Sequence, residues 1–462
     1  MKSKKNLKVV VLLASIVLSS CSNDNDDYID LPDLNERLMA GGETTIVTAT
    51  SNAFSTPAPN LTGSDRDAHL FGDVQFEAIF VTSPSTINPG LGPIFNNSSC
   101  ISCHPRDGRP AFPADINARS GFFLRVSLPG MTSNGGPVPV PGFGTQIQNH
   151  AIFGYQPEAK FQVAYTSITE VFADGTQVVL QKPSYSLIDA YIPVPSSILI
   201  SPRLGTPVFG LGLLEAIPEA SILAYQDIDD VDGDGISGKA NYVFDIVSGR
   251  TQLGRFGWKA NTATILEQCA AAYVNDMGIT NYLFPFETGH GQSNGNNGHN
   301  DYPELSDEIL QKVAFYCKTL AVPASRNHNK ESVRNGARLF EQLECAKCHI
   351  PKHTTGYSEI TALAYQTIYP YTDLLLHDMG EDLADNRPDY LANGREWKTR
   401  PLWGIGLTQL INGHTHFLHD GRAKNLTEAI LWHGGEALNA KNKFKQLSAK
   451  ERQDLLDFLN SL

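Results

Sequence analysis

The run Ser98-Ser-Cys100-Ile-Ser-Cys103-His104-Pro-Arg-Asp107-Gly-Arg109 puts two cysteines three residues apart with a histidine directly behind the second. The pattern recurs 245 residues later as Cys345-Ala-Lys-Cys348-His349. Two thiols within one helical turn can add to the two vinyl groups of a haem, and the adjacent imidazole then reaches the iron. This is why C-x-x-C-H is the attachment signature of c-type haem. The two copies predict two covalently bound haem c groups, on Cys100/Cys103 and Cys345/Cys348, with His104 and His349 as proximal iron ligands. Two other chemistries use such cysteines, a four-cysteine zinc site built from both pairs and a thioredoxin-like dithiol. Neither requires a histidine at the same place twice.

Compartment bears on this reading. Lys2, Lys4, Lys5 and Lys8 surround the start of an apolar stretch, Val9 to Leu18, that is too short to span a bilayer, and Leu18-Ser-Ser-Cys21 closes it with small residues before a cysteine. This resembles a bacterial lipoprotein signal, with residues 1–20 removed and Cys21 lipidated; a membrane anchor that merely ends in cysteine is the competing reading. Residues 21–43 read as an acidic polar tether, whose opening run Ser22 to Asp27 resembles the surface-export signal of Bacteroidetes lipoproteins. The expected location is the outer membrane of a Gram-negative bacterium, on its periplasmic or cell-surface face, held through the lipid on Cys21 alone. Losing residues 1–20 removes four lysines and takes the formal charge from −13 to −17. So acidic a surface excludes nucleic acid and steers a basic redox partner protein, such as a small basic cytochrome, towards it. Of the remaining cysteines, Cys269 and Cys317 carry no motif, and both a disulfide and two separate thiols stay open.

A second repeat accompanies the first. Leu305 to Leu320 aligns without gaps on Leu447 to Leu462; both read as amphipathic helices behind a serine cap, the second with a capping box from Ser448 to Glu451. Each would close a cytochrome c-like unit. The helices are 142 residues apart, so the first unit holds 103 more residues between its haem motif and its closing helix than the second. That excess lies in a strand-like region, about 120–218, where Phe161 to Phe172 and Gln177 to Leu180 flank an Asp174-Gly175 turn. The expected fold is therefore mainly α with a β-rich insertion, in two cytochrome c-like haem domains, 44–325 and 326–462.

Behind the insertion, at 230–241, Asp230-Val-Asp232-Gly-Asp234-Gly-Ile236 has the front half of a calcium loop: alternating carboxylates, a turn glycine and a backbone carbonyl at Ile236. Asn241 stands where the closing glutamate belongs, so an acidic turn without an ion is the plainer alternative to bound Ca2+.

Further residues carry a resemblance: Gly90 to Asn96 ahead of the first motif, Asp107-Gly-Arg109 behind it, Arg255-Phe-Gly-Trp258-Lys-Ala260 and Asp276 to Thr280. In the second half they are Asp373 to Gly380, Trp397 to Trp403, and His419-Asp-Gly-Arg-Ala423 running to His433. From about Phe71 onward the chain resembles the dihaem oxidoreductase family, also labelled thiol oxidoreductase and related to bacterial dihaem cytochrome c peroxidases. The resemblance implies a peroxidase-like enzyme.

In the peroxidase relatives, a helix of pattern Leu-x-x-Ala-Val-x-x-Met brings methionine to the electron-transfer haem. Here Leu426 to His433 ends in histidine instead, which implies a His349/His433 pair at the second haem. Carried onto the first half, the same helix puts the equivalent position at 270 or 272, where Ala270, Ala271 and Ala272 stand. This leaves the first haem as the open site. Gln268 and Asp276 fall where the relatives carry a functional glutamine and glutamate, and a carboxyl at an apolar haem edge suits proton transfer. A structural hydrogen bond and a helix cap are their alternatives. Trp258 reads either as a relay between the haems or as a buried aromatic. The leading expectation is electron transfer through the C-terminal haem to an N-terminal haem that reduces a peroxide or similar oxidant. The alternative is a non-catalytic dihaem electron-transfer lipoprotein, for which His69 or His150 would supply a sixth ligand; the remote one is the zinc protein.

Overall fold

The computed structural model describes residues 31–115, 117–295 and 303–462; Cys21 and the signal segment lie outside them. Both closing helices form where the alignment puts them. Asp307–Thr319 starts behind Ser306, whose hydroxyl accepts the Ile309 N–H at 3.3 Å, and Ala449–Ser461 starts behind the Ser448/Glu451 capping box. Each packs on an earlier helix, Gly63–Phe76 for the first and Glu331–Gln342 for the second.

The two crossings repeat in detail. A Cβ on Gly72 would overlap the Lys312 carbonyl oxygen, and one on Gly336 would overlap that of Asp454, the aligned position. One turn beyond each glycine, Phe76 packs on Tyr316 and Phe340 on Phe458, at 5.2 and 5.4 Å between ring centroids. Each phenylalanine centroid then lies 6.3 Å from the imidazole of its own motif, His104 or His349. Separate apolar clusters surround the two crossings, one holding Phe76, Tyr273, Leu310 and Tyr316, the other Phe340, Tyr371, Trp432 and Phe458. Residues Pro32–Leu462 form one compact unit.

The insertion is β-rich. Phe122–Met131 pairs antiparallel with Leu199–Leu204, and Lys160–Val171 pairs with Gln177–Ile188 around the Asp174-Gly175 turn, where Gly175 has φ +83°. The second hairpin strand runs eight residues beyond Leu180, through Pro183 and alternating serines that read as breakers in sequence. At the hairpin tip, Phe172 packs on Phe444 and under the Arg452 guanidinium (5.5 and 4.2 Å), and Asp174 pairs with Arg452 at 2.6 Å. The insertion thus ties the first half to the C-terminal helices.

Overall, 29% of the described residues are helix and 19% strand, the strands in small two- and three-stranded sheets. Several of these lie outside the insertion, such as Leu376–Asp378 with Glu396–Lys398. The described end of the expected tether is also structured. Leu34 and Ala40 are buried, Arg37 reaches Tyr371 and Glu341, and Ala40 O accepts the Tyr369 N–H at 2.7 Å. These apolar residues interrupt the polar composition, and the second half provides their packing partners.

Candidate functional site

Cys100–Cys103 is a single helical turn capped by Ser99, and His104 N donates to Cys100 O at 2.9 Å; His349 N donates to Cys345 O at the same distance. Each motif therefore presents its two thiols and its imidazole together. Each lines its own cavity, about 380 Å³ for the first and 240 Å³ for the second. The cysteine pairs thus do not assemble into one four-cysteine zinc set. Nor do they suit a redox dithiol, since burial pushes all four thiols up, Cys345 to about 12, where a reactive thiol needs the opposite.

The second cavity contains another imidazole. Helix Leu426–Leu431, capped by Asn425, ends just before His433, which shares the cavity with His349. All three histidines have the same hydrogen bond: His104 Nδ1 to Thr206 O (2.7 Å), His349 Nδ1 to Tyr371 O (3.0 Å) and His433 Nδ1 to Ala429 O (2.7 Å). A carbonyl only accepts, so Nδ1 carries the proton and Nε2 keeps its lone pair. Burial holds all three pKa values down, His349 to about 4, which favours the neutral ring.

Among the described residues, the first cavity has no second histidine. Helix Ile265–Met277 contributes Gln268, Ala271, Ala272, Asn275 and Asp276 to its lining, together with Glu267, Cys269 and Tyr273, while Ala270 packs in the core. Asp276 accepts from Gln146 Nε2 at 2.7 Å; burial raises its pKa, offset by that hydrogen bond and by the charge of Arg125. Arg125, on strand Phe122–Met131, also lines the cavity, and Gln146 bridges to it. Neither was singled out in the sequence. They reach the site from the insertion, and no motif marks them. His69 and His150 lie outside both cavities: His69 Nδ1 bonds Thr319 Oγ1 at 2.8 Å, and His150 bonds Asn149 and Asn117.

Trp258, Lys398, Arg400 and Pro401 line both cavities and so form their common wall. Trp258 is buried, with its indole N–H on Leu204 O at 2.8 Å. At the edge of the second cavity His377 is clamped between Glu436 (2.6 Å) and Asp373 (2.8 Å); burial lowers its pKa, but the Asp373 charge and the neighbouring Cys348 outweigh it and raise the value, so both its nitrogens donate. The calcium-like loop brings only part of its acidic run together. Asp234 turns to Lys347, inside the second motif, at 2.7 Å, and the carboxylates that cluster within 4.8 Å are Asp227, Asp230 and Asp232. Ile236 lies with Asp234 on the second cavity. Cys269 and Cys317 are free thiols facing each other.

The model of the family described as "Di-haem oxidoreductase, putative peroxidase" matches residues 35–462. The chain belongs to this family. For a di-haem oxidoreductase, the residues present fit the cofactor: two thiol pairs, each with a neutral imidazole oriented by a backbone carbonyl, each on its own cavity. No curated protein matches the chain. Among solved structures, a chain of a Kuenenia stuttgartiensis hydrazine synthase, studied under 20 bar of xenon, matches at 14% identity and a TM-score of 0.34, covering 88% of this chain and 94% of that one.

Proposed function

We propose that this di-haem oxidoreductase reduces a peroxide or similar oxidant at the first cavity, with electrons supplied through the second. In this reading Cys100/Cys103 and Cys345/Cys348 hold two c-type haems in two cytochrome c-like units. His104 ligates the first iron; His349 and His433 ligate the second. When bound, the haems supply one-electron redox chemistry at the closed second centre and peroxide-binding chemistry at the open first one. The observation that carries the reading is the asymmetry of the cavities: His433 shares the second with His349, whereas alanines and hydrogen-bonding side chains share the first with His104.

The chain's own groups then have distinct tasks. The Asp276 carboxyl, protonated more readily because it is buried, moves a proton between peroxide oxygens, and Gln146 fixes its orientation at 2.7 Å. Gln268 and Arg125 offer donors to charge developing on the departing oxygen. Trp258 separates the cavities and excludes water from the wall between them. The acidic surface favours a basic protein as electron donor. Attachment by lipid at Cys21, at the outer membrane, completes the proposal; no helix among the described residues is long and apolar enough to cross a membrane.

The test is turnover. Purified protein given hydrogen peroxide and a reduced basic cytochrome should oxidise the cytochrome in proportion to peroxide. A protein that exchanges electrons with the cytochrome but leaves peroxide untouched would instead be the electron-transfer alternative.

A further inference from the structure

The wall between the cavities holds three cations without a counter-ion among the described residues. Lys398 and Arg400 line both cavities, and Arg109 lines the second. Arg109 and Lys398 are buried, and Arg400 is enclosed by protein apart from the cavities it faces. Among the described residues, no acidic side chain acts on any of them. Burial, together with the like charge of Arg400, lowers Arg109 to about 9 and also lowers Lys398; burial alone lowers Arg400 to about 10.

Backbone carbonyls give partial compensation only. Arg109 Nη2 donates to Leu418 O at 2.9 Å, yet its Nε is buried with no acceptor, and Lys398 Nζ donates to Arg255 O at 2.5 Å. The two guanidinium groups lie against Trp258, Arg400 at 5.0 Å and Arg109 at 5.6 Å from the ring centroid. Neighbouring buried cations are treated differently: Lys259 has Asp385 at 2.8 Å and Arg387 has Asp389 at 3.0 Å. Like charges buried together without an anion are strongly unfavourable. The fold accordingly retains these three for a negatively charged group that arrives with the cofactor.

We propose that Arg109, Lys398 and Arg400 form one anion site shared by the propionate carboxylates of the two haems, with Lys398 and Arg400 serving both haems and Arg109 the second. The inference rests on the di-haem reading above. Haem is the group that the two attachment motifs bring to both cavities, and it carries carboxylates; a guanidinium fork pairs with a carboxylate through two parallel hydrogen bonds. Cations at this position stabilise the reduced, more electron-rich state of each haem and so raise its potential.

The experiment is a spectroelectrochemical titration of the fully loaded protein and of Arg400→Gln, Arg400→Lys and Arg109→Gln, with covalent haem counted by the pyridine haemochrome spectrum. Arg400→Gln should shift the reduction equilibrium of both haems towards the oxidised form by about tenfold, 59 mV for a one-electron couple. Arg109→Gln should shift the second haem alone, and Arg400→Lys, which keeps the charge but not the fork, should shift both haems by less than Arg400→Gln. If Arg400→Gln does not load haem, Arg109→Gln decides through the second haem. Loaded variants whose potentials match wild type would overturn the shared site while leaving the di-haem reading intact. A wild-type protein without covalent haem would overturn both.

Discussion

Gly336 lies against the backbone of Asp454, so close that a Cβ would overlap the Asp454 carbonyl oxygen. Gly72 meets Lys312 in the same way, and the phenylalanine one turn beyond each glycine approaches the histidine of its motif at 6.3 Å. The helix crossing and the histidine are thus mechanically linked, twice.

Gly336→Ala tests that link. Alanine is the better helix former by about 1 kcal/mol, but the overlap is with backbone that cannot rotate away, so forcing the helices apart costs about 2–3 kcal/mol, the upper part of the usual range. A net stability loss of roughly 1–2 kcal/mol is expected in chemical denaturation, together with broadening of the haem spectrum. Unchanged or increased stability would show that the crossing yields easily.

Asp276→Asn removes the proposed proton carrier and keeps its shape and its hydrogen bond to Gln146. Stopped-flow mixing with peroxide should show a reaction slower by about a hundredfold or more, with haem content and the second haem's spectrum unchanged. A rate within a few-fold of wild type would remove Asp276 from the mechanism.

Glu158 provides a pH signature away from the haem motifs. Its carboxylate is fully buried, accepting from Gln148 N at 2.6 Å, and burial pushes its pKa up to about 8 from an ordinary 4.5. The fold therefore favours the protonated form. Its stabilising contribution is complete below the unfolded value of 4.5 and is lost as pH rises through about 8. Relative to Glu158→Gln, which cannot ionise, wild type should lose on the order of 2–4 kcal/mol across that window. A wild-type-to-variant difference that stays flat from pH 4.5 to 8 would contradict the shift.

Much of the site could be read from the chain because its information is local. C-x-x-C-H fixes thiols and imidazole within one turn, the serine caps mark both closing helices, and helical spacing turns Gln268, Ala272 and Asp276 to one side. What escaped the sequence depends on partners far away in it. Arg125 and Gln146 meet Asp276 across some 130 to 150 residues of chain. Asp234, in the calcium-like run, pairs with Lys347, 113 residues on in the chain. Arg109, Lys398 and Arg400 stand in runs that carry the family resemblance, but only folding shows them enclosed together on one wall. Residues 34–40 read as tether because their packing partners, Tyr369 and Tyr371, stand over 300 positions later.

The central claim, one closed and one open haem, is tested most directly by electron paramagnetic resonance of the oxidised protein beside its His433→Ala variant. Wild type should show one low-spin haem and one high-spin haem, the latter changing on addition of peroxide, and His433→Ala should convert the low-spin signal to high spin. Two low-spin haems unmoved by peroxide, or a low-spin signal indifferent to the loss of His433, would contradict the account.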